Sequence, residues 1–372
     1  MMRSPNQPIR VLVVEDSRAQ RELLLALLRG SGDFEVVGIA GNGKEAIAEA
    51  QRLRPNVIAM DIHLPILDGY EATRQIMRLC PTPIVLISSQ GDTARRSIEA
   101  LAAGALAVVS KPGGRADADD ERTTFLTTLR LMADVRVVTR HSSRLLASDH
   151  RPPATGRPGR LVDSSFDSMQ GRRRWPVAPK VLAIAASTGG PAAVQTVLRG
   201  LGTGFPLPIV VVQHIARGFV LALVEWLNNT VALPVRVARQ GERLNPGQVY
   251  LAPEDHHIVA YDPGAATLRP MAPGDRFCPS ADLLFESAAR VYGATAIGLV
   301  LTGMGDDGTR GLLALRAAGA PTLAQDAASC VVYGMPRAAV EAGAITRSEP
   351  LAMIAEVILG MVGGIARDLG AS

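Results

Sequence analysis

Two groups of residues in this chain have the types and spacing to do chemistry. The first is a serine, a histidine and an aspartate. Ser187 follows the apolar run Val181 to Ala186 and opens Thr188-Gly189-Gly190-Pro191. His214 follows PIVVVQ (208–213), and Asp307 lies in TGMGDDG (302–308), just past AIGLVL. A serine hydroxyl is a poor nucleophile until an imidazole takes its proton, and that imidazole needs a carboxylate to fix its tautomer. The second group is Glu15, Asp16, Asp61, Ser88 and Lys111, with Ser89 beside Ser88. Three carboxylates brought together repel one another unless a cation sits among them, and oxygen ligands of this kind suit Mg²⁺. Asp61 is then a nucleophile toward phosphorus, with the Lys111 charge and the Ser88 hydroxyl reading the phosphoryl group.

Each of these residues also has an ordinary structural use. Serine at a strand-to-helix junction is most often an N-cap. A histidine past a strand is usually a surface or packing residue, and Asp306 and Asp307 suit a glycine-rich turn or a helix cap. His256 and His257 are rival bases, although their hairpin setting places them less naturally beside Ser187. The order Ser…His…Asp matches neither the hydrolase-fold nor the subtilisin order, and AASTG lacks the first glycine of a G-x-S-x-G elbow. A typical α/β-hydrolase is disfavoured; a separate triad on a doubly wound sheet is allowed.

The elements that must position these groups are legible as apolar periodicity. Strands are expected at 9–14, 34–40, 56–60, 83–87 and 105–110, alternating with helices at 18–29, 43–53, 69–79, 93–103 and 121–133. That is a (βα)5 unit with a parallel sheet covered on both faces, and ligands bind such sheets at the carboxyl ends of strands. Residues 133–178 lose periodicity and gain Pro, Arg, Ser and His, which predicts a long tether. Strands are expected again at 181–186, 208–213, 235–238, 248–252, 296–301 and 321–325. Helices are expected at 219–228, 281–292 and 309–318, with one after Pro191 and two closing the chain. The expected fold class is therefore α/β: an N-terminal (βα)5 domain at 9–132, a basic linker at 133–178, and a C-terminal doubly wound, mainly parallel α/β domain at 179–366.

Composition bounds the rest. A chain of 372 residues, 47% hydrophobic, has material for two or three cores. No apolar run approaches the roughly 18 residues that span a bilayer, and MMRSPNQPIR lacks a signal peptide's apolar segment, so the expected location is cytoplasmic. Three cysteines (Cys80, Cys278 and Cys330) lack metal-type spacing and fit reduced thiols. The net charge is +4, with the basic excess concentrated near 136–180, including Arg172 to Arg174. Few aromatics interleave that run and nothing after the first domain reads as a helix-turn-helix, so no specific nucleic-acid partner is expected.

Residues 9 to about 132 resemble a response-regulator receiver domain in VVEDS, MDIHLPILDGYEA, ISS and SKPGG. The resemblance implies Asp61 as phosphoacceptor, Glu15, Asp16 and Asp61 as Mg²⁺ ligands, Ser88 and Lys111 as phosphoryl-sensing residues, and a cis Lys111–Pro112 peptide. Val108 departs from the aromatic usual in receivers at that position. Residues 180 to about 345 resemble the catalytic domain of the CheB family of chemotaxis protein-glutamate methylesterases. The carrying stretches are AIAASTGG, VVVQHIARGF, GERLNPGQVYLAP, CPSADLLFESAA, GLVLTGMGDDG and AQDAASCVVYGMPRAA. That resemblance implies Ser187 as nucleophile, His214 as base and Asp307 as the orienting acid, with the Met304 N–H and Thr188 at the oxyanion. It implies no cofactor in the catalytic domain, chemoreceptors as substrates and a chemotaxis histidine kinase as phosphodonor; a monomer is expected, although the sequence leaves oligomeric state open. It also implies that the unphosphorylated receiver packs over the active-site end. Cys278 departs from the arginine usual before Pro-Ser. The contrasting expectation is a phosphorylation-controlled scaffold with a silent hydrolase domain.

Overall fold

The computed structural model describes residues 7–88, 98, 101, 104–112, 118–135, 137, 177–215, 218–262 and 264–363. The expected helix at 93–103 and the expected linker at 133–178, with its arginine run, lie almost wholly outside the described residues.

The first sheet holds β1 (Ile9–Val14), β2 (Phe34–Ala40), β3 (Val57–Asp61), β4 (Ile84–Ser88) and β5 (Ala107–Ser110). Its order is β2-β1-β3-β4-β5 and every pairing is parallel. Between the strands run α1 (Arg18–Ser31), α2 (Gly43–Leu53) and α3 (Gly69–Leu79), and α4 (Ala118–Ala133) follows β5. Caps set the helix starts: the side chains of Ser17, Asn42 and Asp68 accept from Gln20, Glu45 and Glu71 N–H. Successive strand residues face opposite sides, so Ile9, Val11 and Val13 pack with α1 and α4 while Leu12 and Val14 pack with α2 and α3.

The second sheet holds β6 (Val181–Ala186), β7 (Ile209–Gln213), β8 (Val235–Val237), β9 (Val249–Leu251), β12 (Ala296–Val300), β13 (Thr322–Gln325) and β14 (Arg347–Glu349). It too is wholly parallel, in the order β14-β13-β12-β6-β7-β9-β8. Strands β10 (His256–Asp262) and β11 (Ala265–Pro270) form a separate antiparallel hairpin. The helices are α5 (Gly190–Leu201), α6 (Val220–Asn228), α7 (Ala281–Tyr292), α8 (Thr309–Ala317), α9 (Met335–Glu341) and α10 (Leu351–Val362). Leu182, Ile184 and Ala186 of β6 face the cluster built by α5, α6 and α10; Val181, Ala183 and Ala185 face the hairpin, α7, α8 and α9. All six are at most 2% exposed, which is why this strand reads as one continuous apolar run. The α/β fold class is as expected. The three-residue β14 at the sheet edge was not anticipated, because Arg347, Ser348 and Glu349 carry no apolar signal.

Strand order fixes where a site can form. The chain starts the second sheet at β6, winds out through β7 to β8 and β9, then returns to the other side of β6 with β12. The winding direction reverses between β6 and β12, and the loops past their carboxyl ends diverge there into a crevice. In the first sheet the same reversal falls between β1 and β3. The two chemistry-bearing groups sit at these two points.

The apolar clusters also meet across the two sheets. Val331 and Val332, both less than 9% exposed, belong with the cluster of α1 and α4, with Met304 at its edge. Conversely, Ile98 is fully buried in the cluster around α5 and α6, and Leu101 packs against it.

Candidate active site

Ser187 is placed by the parallel ladder. Ala186 of β6 is in register with Gln213 of β7, and Val300 of β12 with Ala185. The ladder continues past the strands, with Ser187 N–H donating to the Thr302 carbonyl (3.1 Å) and His214 N–H to the Ala186 carbonyl (2.9 Å). The serine thus lies between the His214 loop and the glycine-rich 302–308 loop. It does not cap α5: the N-cap is Gly189, at φ +77°, and no side chain bonds there. The bland reading of this serine is set aside by that geometry.

Among the described residues, the N–H groups of Thr188 and Met304 have no hydrogen-bond acceptor in the protein. Thr188 stands at the start of α5, where backbone N–H groups carry partial positive charge. Gly303 packs against the serine so closely that only hydrogen fits on its Cα.

His214 donates or accepts through Nε2 at 2.9 Å from Asp307 Oδ2, and Asp307 is 5% exposed. The Asp307 carboxylate also accepts from Ala281 N–H (2.7 Å), Asp282 N–H (3.0 Å) and the Ser280 hydroxyl (3.0 Å). Burial opposes its ionisation, but the bonds from His214, Ala281 and Asp282 outweigh that and hold its pKa below the ordinary aspartate value. Asp307 is therefore anionic and seated on the N-terminus of α7, where the helix dipole favours negative charge. Ser187 Oγ and the His214 ring are not hydrogen-bonded to each other; such bonds often tighten only with substrate. The other face of the imidazole is stacked on Phe277 (centroids 5.2 Å apart, planes at 8°), and Arg276 lies over Phe277 and pairs with Asp306 at 3.0 Å.

Several residues that hold the site gave no signal on their own. Gln213, 5% exposed, donates from Nε2 to both the Ser187 carbonyl (2.8 Å) and the His214 carbonyl (2.9 Å). Fully buried Thr302 ties the 188 and 332 loops together through its hydroxyl, and Gln325 accepts from its N–H at 2.9 Å. The rival base His257 is fully buried and bonded to Asp275, and His256 bonds the Glu254 carbonyl; neither partners Ser187.

At the first sheet, Glu15, Asp16 and Asp61 bring one carboxylate oxygen each within 4.8 Å of one another. Glu15 and Asp61 are buried, Asp16 exposed. Asp61 is the last residue of β3, and Lys111 Nζ lies 2.7 Å from its Oδ2 and 3.1 Å from Glu15 Oε2. Burial and the Asp61 charge push the Glu15 pKa up. Burial works against the Lys111 ammonium, yet Asp61 and Glu15 hold its pKa above the usual lysine value. Ser88 ends β4, and its carbonyl accepts from Lys111 N–H at 2.8 Å. The Lys111–Pro112 peptide is trans, contrary to expectation; the cis X–Pro bond among the described residues is Cys278–Pro279. Trans is the intrinsically preferred state of such a bond, and here the Pro112 carbonyl accepts from Gln20 of α1 at 3.1 Å.

Fold and sites together define a two-part α/β protein: a receiver-type sheet bearing an acid cluster, and a doubly wound sheet with Ser, His and Asp at its reversal point. The CheB methylesterase family model matches residues 182–358, and the response regulator receiver domain model matches residues 11–120. A protein-glutamate methylesterase/protein-glutamine glutaminase 4 of Myxococcus xanthus is 45% identical over 340 residues, 91% of this chain and 92% of that relative. A protein-glutamate methylesterase/protein-glutamine glutaminase 2 of Anaeromyxobacter dehalogenans is 43% identical over 346 residues, 93% and 95% of the two. The Thermotoga maritima CheB methylesterase catalytic domain is 36% identical and covers 50% of this chain and 100% of that one, with a TM-score of 0.48. This chain belongs to the CheB family of protein-glutamate methylesterases with an N-terminal receiver domain. No helix among the described residues is long and apolar enough to cross a membrane.

Proposed function

We propose that the chain is a phosphorylation-activated serine hydrolase that demethylates glutamyl methyl esters, and deamidates glutamines, on the cytoplasmic helices of chemoreceptors. The observation that carries this is the His214–Asp307 bond, held beside Ser187 where the sheet reverses direction. Because Nε2 of His214 faces Asp307, Nδ1 is the nitrogen left to take the Ser187 proton. Ser187 Oγ attacks the γ-carbonyl, forming a tetrahedral oxyanion opposite the Thr188 and Met304 N–H groups. One such donor is worth roughly 3–4 kcal/mol in the transition state. His214 returns the proton to the leaving methoxide, or to the amide nitrogen of a glutamine, and methanol or ammonia departs. Water then attacks the acyl-enzyme with His214 again as base, releasing the glutamate and restoring Ser187.

The acid cluster supports the regulatory half. Glu15, Asp16 and Asp61 each bring a carboxylate oxygen within 4.8 Å of the others, and burial and the Asp61 charge raise the Glu15 pKa, a donor set that fits a hard divalent cation. Glu15, Asp16 and Asp61 would hold Mg²⁺, which when bound neutralises charge on phosphoryl oxygens. Asp61 accepts the phosphoryl group from a histidine kinase, and Lys111 and Ser88 read it. The packing of Met304, Val331 and Val332 with the receiver's cluster supports a closed resting state, because these residues flank the Ser187 loop. Phosphorylation opens it; moving such an equilibrium from mostly closed to mostly open takes on the order of 5 kcal/mol. The protein works in the cytoplasm as a monomer.

The test is methanol release from methylated chemoreceptor membranes by wild type, Ser187→Ala and Asp61→Asn, each with and without acetyl phosphate. Release by wild type, its loss in Ser187→Ala and stimulation of wild type alone are expected. An inactive wild type, with or without acetyl phosphate, would move the scaffold reading to the front.

A further inference from the structure

A second histidine–carboxylate couple stands behind the first. His257 on β10 is fully buried, and both ring nitrogens are engaged. Nε2 lies 2.8 Å from Asp275 Oδ2, and Nδ1 accepts the Ser280 N–H at 3.1 Å. An acceptor at Nδ1 requires the neutral Nε2–H tautomer, so the ring donates to Asp275. Asp275 is itself fixed by Ala272 N–H at 2.8 Å and Arg269 at 3.2 Å.

Ser280 is where the two couples meet. It caps α7 and gives its hydroxyl to Asp307 Oδ1, while the next two residues give their N–H groups to the same carboxylate. Three of the four bonds that Asp307 receives from protein donors come from this three-residue segment; the fourth comes from His214. The cis Cys278–Pro279 turn leads into the segment, and the His257 ring grips its first N–H. A carboxylate this constrained orients His214 only if the segment itself is fixed.

We propose that His257, backed by Asp275, is a positioning residue for the hydrolase: through Ser280 it fixes Asp307 and hence His214. The inference rests on the Ser187–His214–Asp307 reading above. It assigns the work to one bond, from Ser280 N–H to Nδ1, and that makes two substitutions unequal. An asparagine amide oxygen falls near the Nδ1 position and keeps the bond to Ser280. A glutamine amide reaches toward the Nε2 position and keeps only the bond to Asp275.

The experiment uses the full-length chain with Mg²⁺ and acetyl phosphate. Methanol release from methylated receptor membranes, and the rate of Ser187 labelling by a fluorophosphonate, are followed against pH for wild type, His257→Asn, His257→Gln and Ser187→Ala. Rates are normalised to folded protein by circular dichroism. His257→Gln is expected to lose about ten- to a hundredfold in kcat with little change in KM, and His257→Asn less than about threefold. Donors lost from Asp307 leave more of its charge on His214, favouring the imidazolium. The acidic limb of the labelling profile therefore moves up by about half a pH unit in His257→Gln alone. Equal losses in both variants with an unmoved limb would show a purely structural histidine and overturn the proposal, as would wild-type behaviour of both. Failure of wild type to be labelled at Ser187 would overturn the triad reading and this inference with it; normal wild-type labelling with unaffected variants overturns this inference alone.

Discussion

A methyl group on the Gly303 Cα would stand 2.7 Å from the Ser187 Cβ and 2.5 Å from the Met335 sulfur. The glycine loop after β12 is thus pressed against Ser187, the proposed nucleophile, and Met304, the proposed oxyanion donor, follows directly on that close approach. Gly303→Ala must move either the loop or the serine. A misplacement near 1 Å costs about a hundredfold in rate. Methanol release by Gly303→Ala is expected to fall at least that far. Gly360→Ala is the control: nothing lies within 4 Å of its added methyl, and it sits in α10. Its activity should be unchanged and its stability higher by about 0.5–1 kcal/mol.

Gln213 offers a second test, since one amide nitrogen serves the carbonyls of both Ser187 and His214. Gln213→Met keeps the shape and removes the donor. Each buried carbonyl left without a partner costs about 1–3 kcal/mol. A lowered midpoint of urea unfolding is expected, together with a fall in kcat and an unchanged KM. A raised KM with normal kcat would place Gln213 in substrate binding instead.

Legibility in the sequence followed the range of the interactions. The β6 run is buried on both faces, so it is apolar throughout and its end at Ser187 is visible. His214 and Asp307 were visible because they too break apolar strands, and a parallel sheet gathers strand ends. Gln213 was missed because it is the last residue of its strand, and a polar strand end looks like the start of a loop. Ser280 and His257 were missed as supports because their partners lie 27 and 23 residues away. Phe277 shows no periodicity at all, and its stacking on His214 exists only in three dimensions. The receiver's acid cluster was fully legible, since each member sits at a strand end; the isomer of the Lys111–Pro112 bond depends on packing and was not.

The acid cluster predicts a cation-dependent stability. Mg²⁺ added to the unphosphorylated full-length chain is expected to raise the unfolding transition of the receiver part, with about 2.7 kcal/mol gained at a hundredfold excess over Kd. Asp16→Asn is the informative variant. Asp16 is exposed, so its replacement leaves the buried pair of Glu15 and Asp61 with Lys111 intact. A shift that persists at full size in Asp16→Asn would remove this residue from the cation site.

Asp307 allows the sharpest separation of stability from catalysis. Its pKa lies below the ordinary aspartate value in the folded protein, so folding favours the ionised form. The carboxylate therefore adds stability that is fully present above the ordinary value of 3.8 and is lost as pH falls through the lower folded value. Asp307→Asn turns an amide NH₂ toward donors that need an acceptor, at about 1–3 kcal/mol for each donor so faced. The difference in urea-unfolding free energy between wild type and Asp307→Asn should be constant from pH 7 to about pH 5 and shrink in more acidic solution. A difference that grows toward acid would contradict the sign of the shift. Catalysis should respond at all pH values, because an amide donating to Nε2 drives the His214 proton onto Nδ1, the nitrogen needed as base. Loss of the orienting carboxylate in a triad costs about 10⁴ in kcat. Fluorophosphonate labelling of Ser187 in Asp307→Asn should slow by a comparable factor while the chain remains folded at pH 7; labelling at the wild-type rate would show that His214 does not depend on Asp307 for its tautomer.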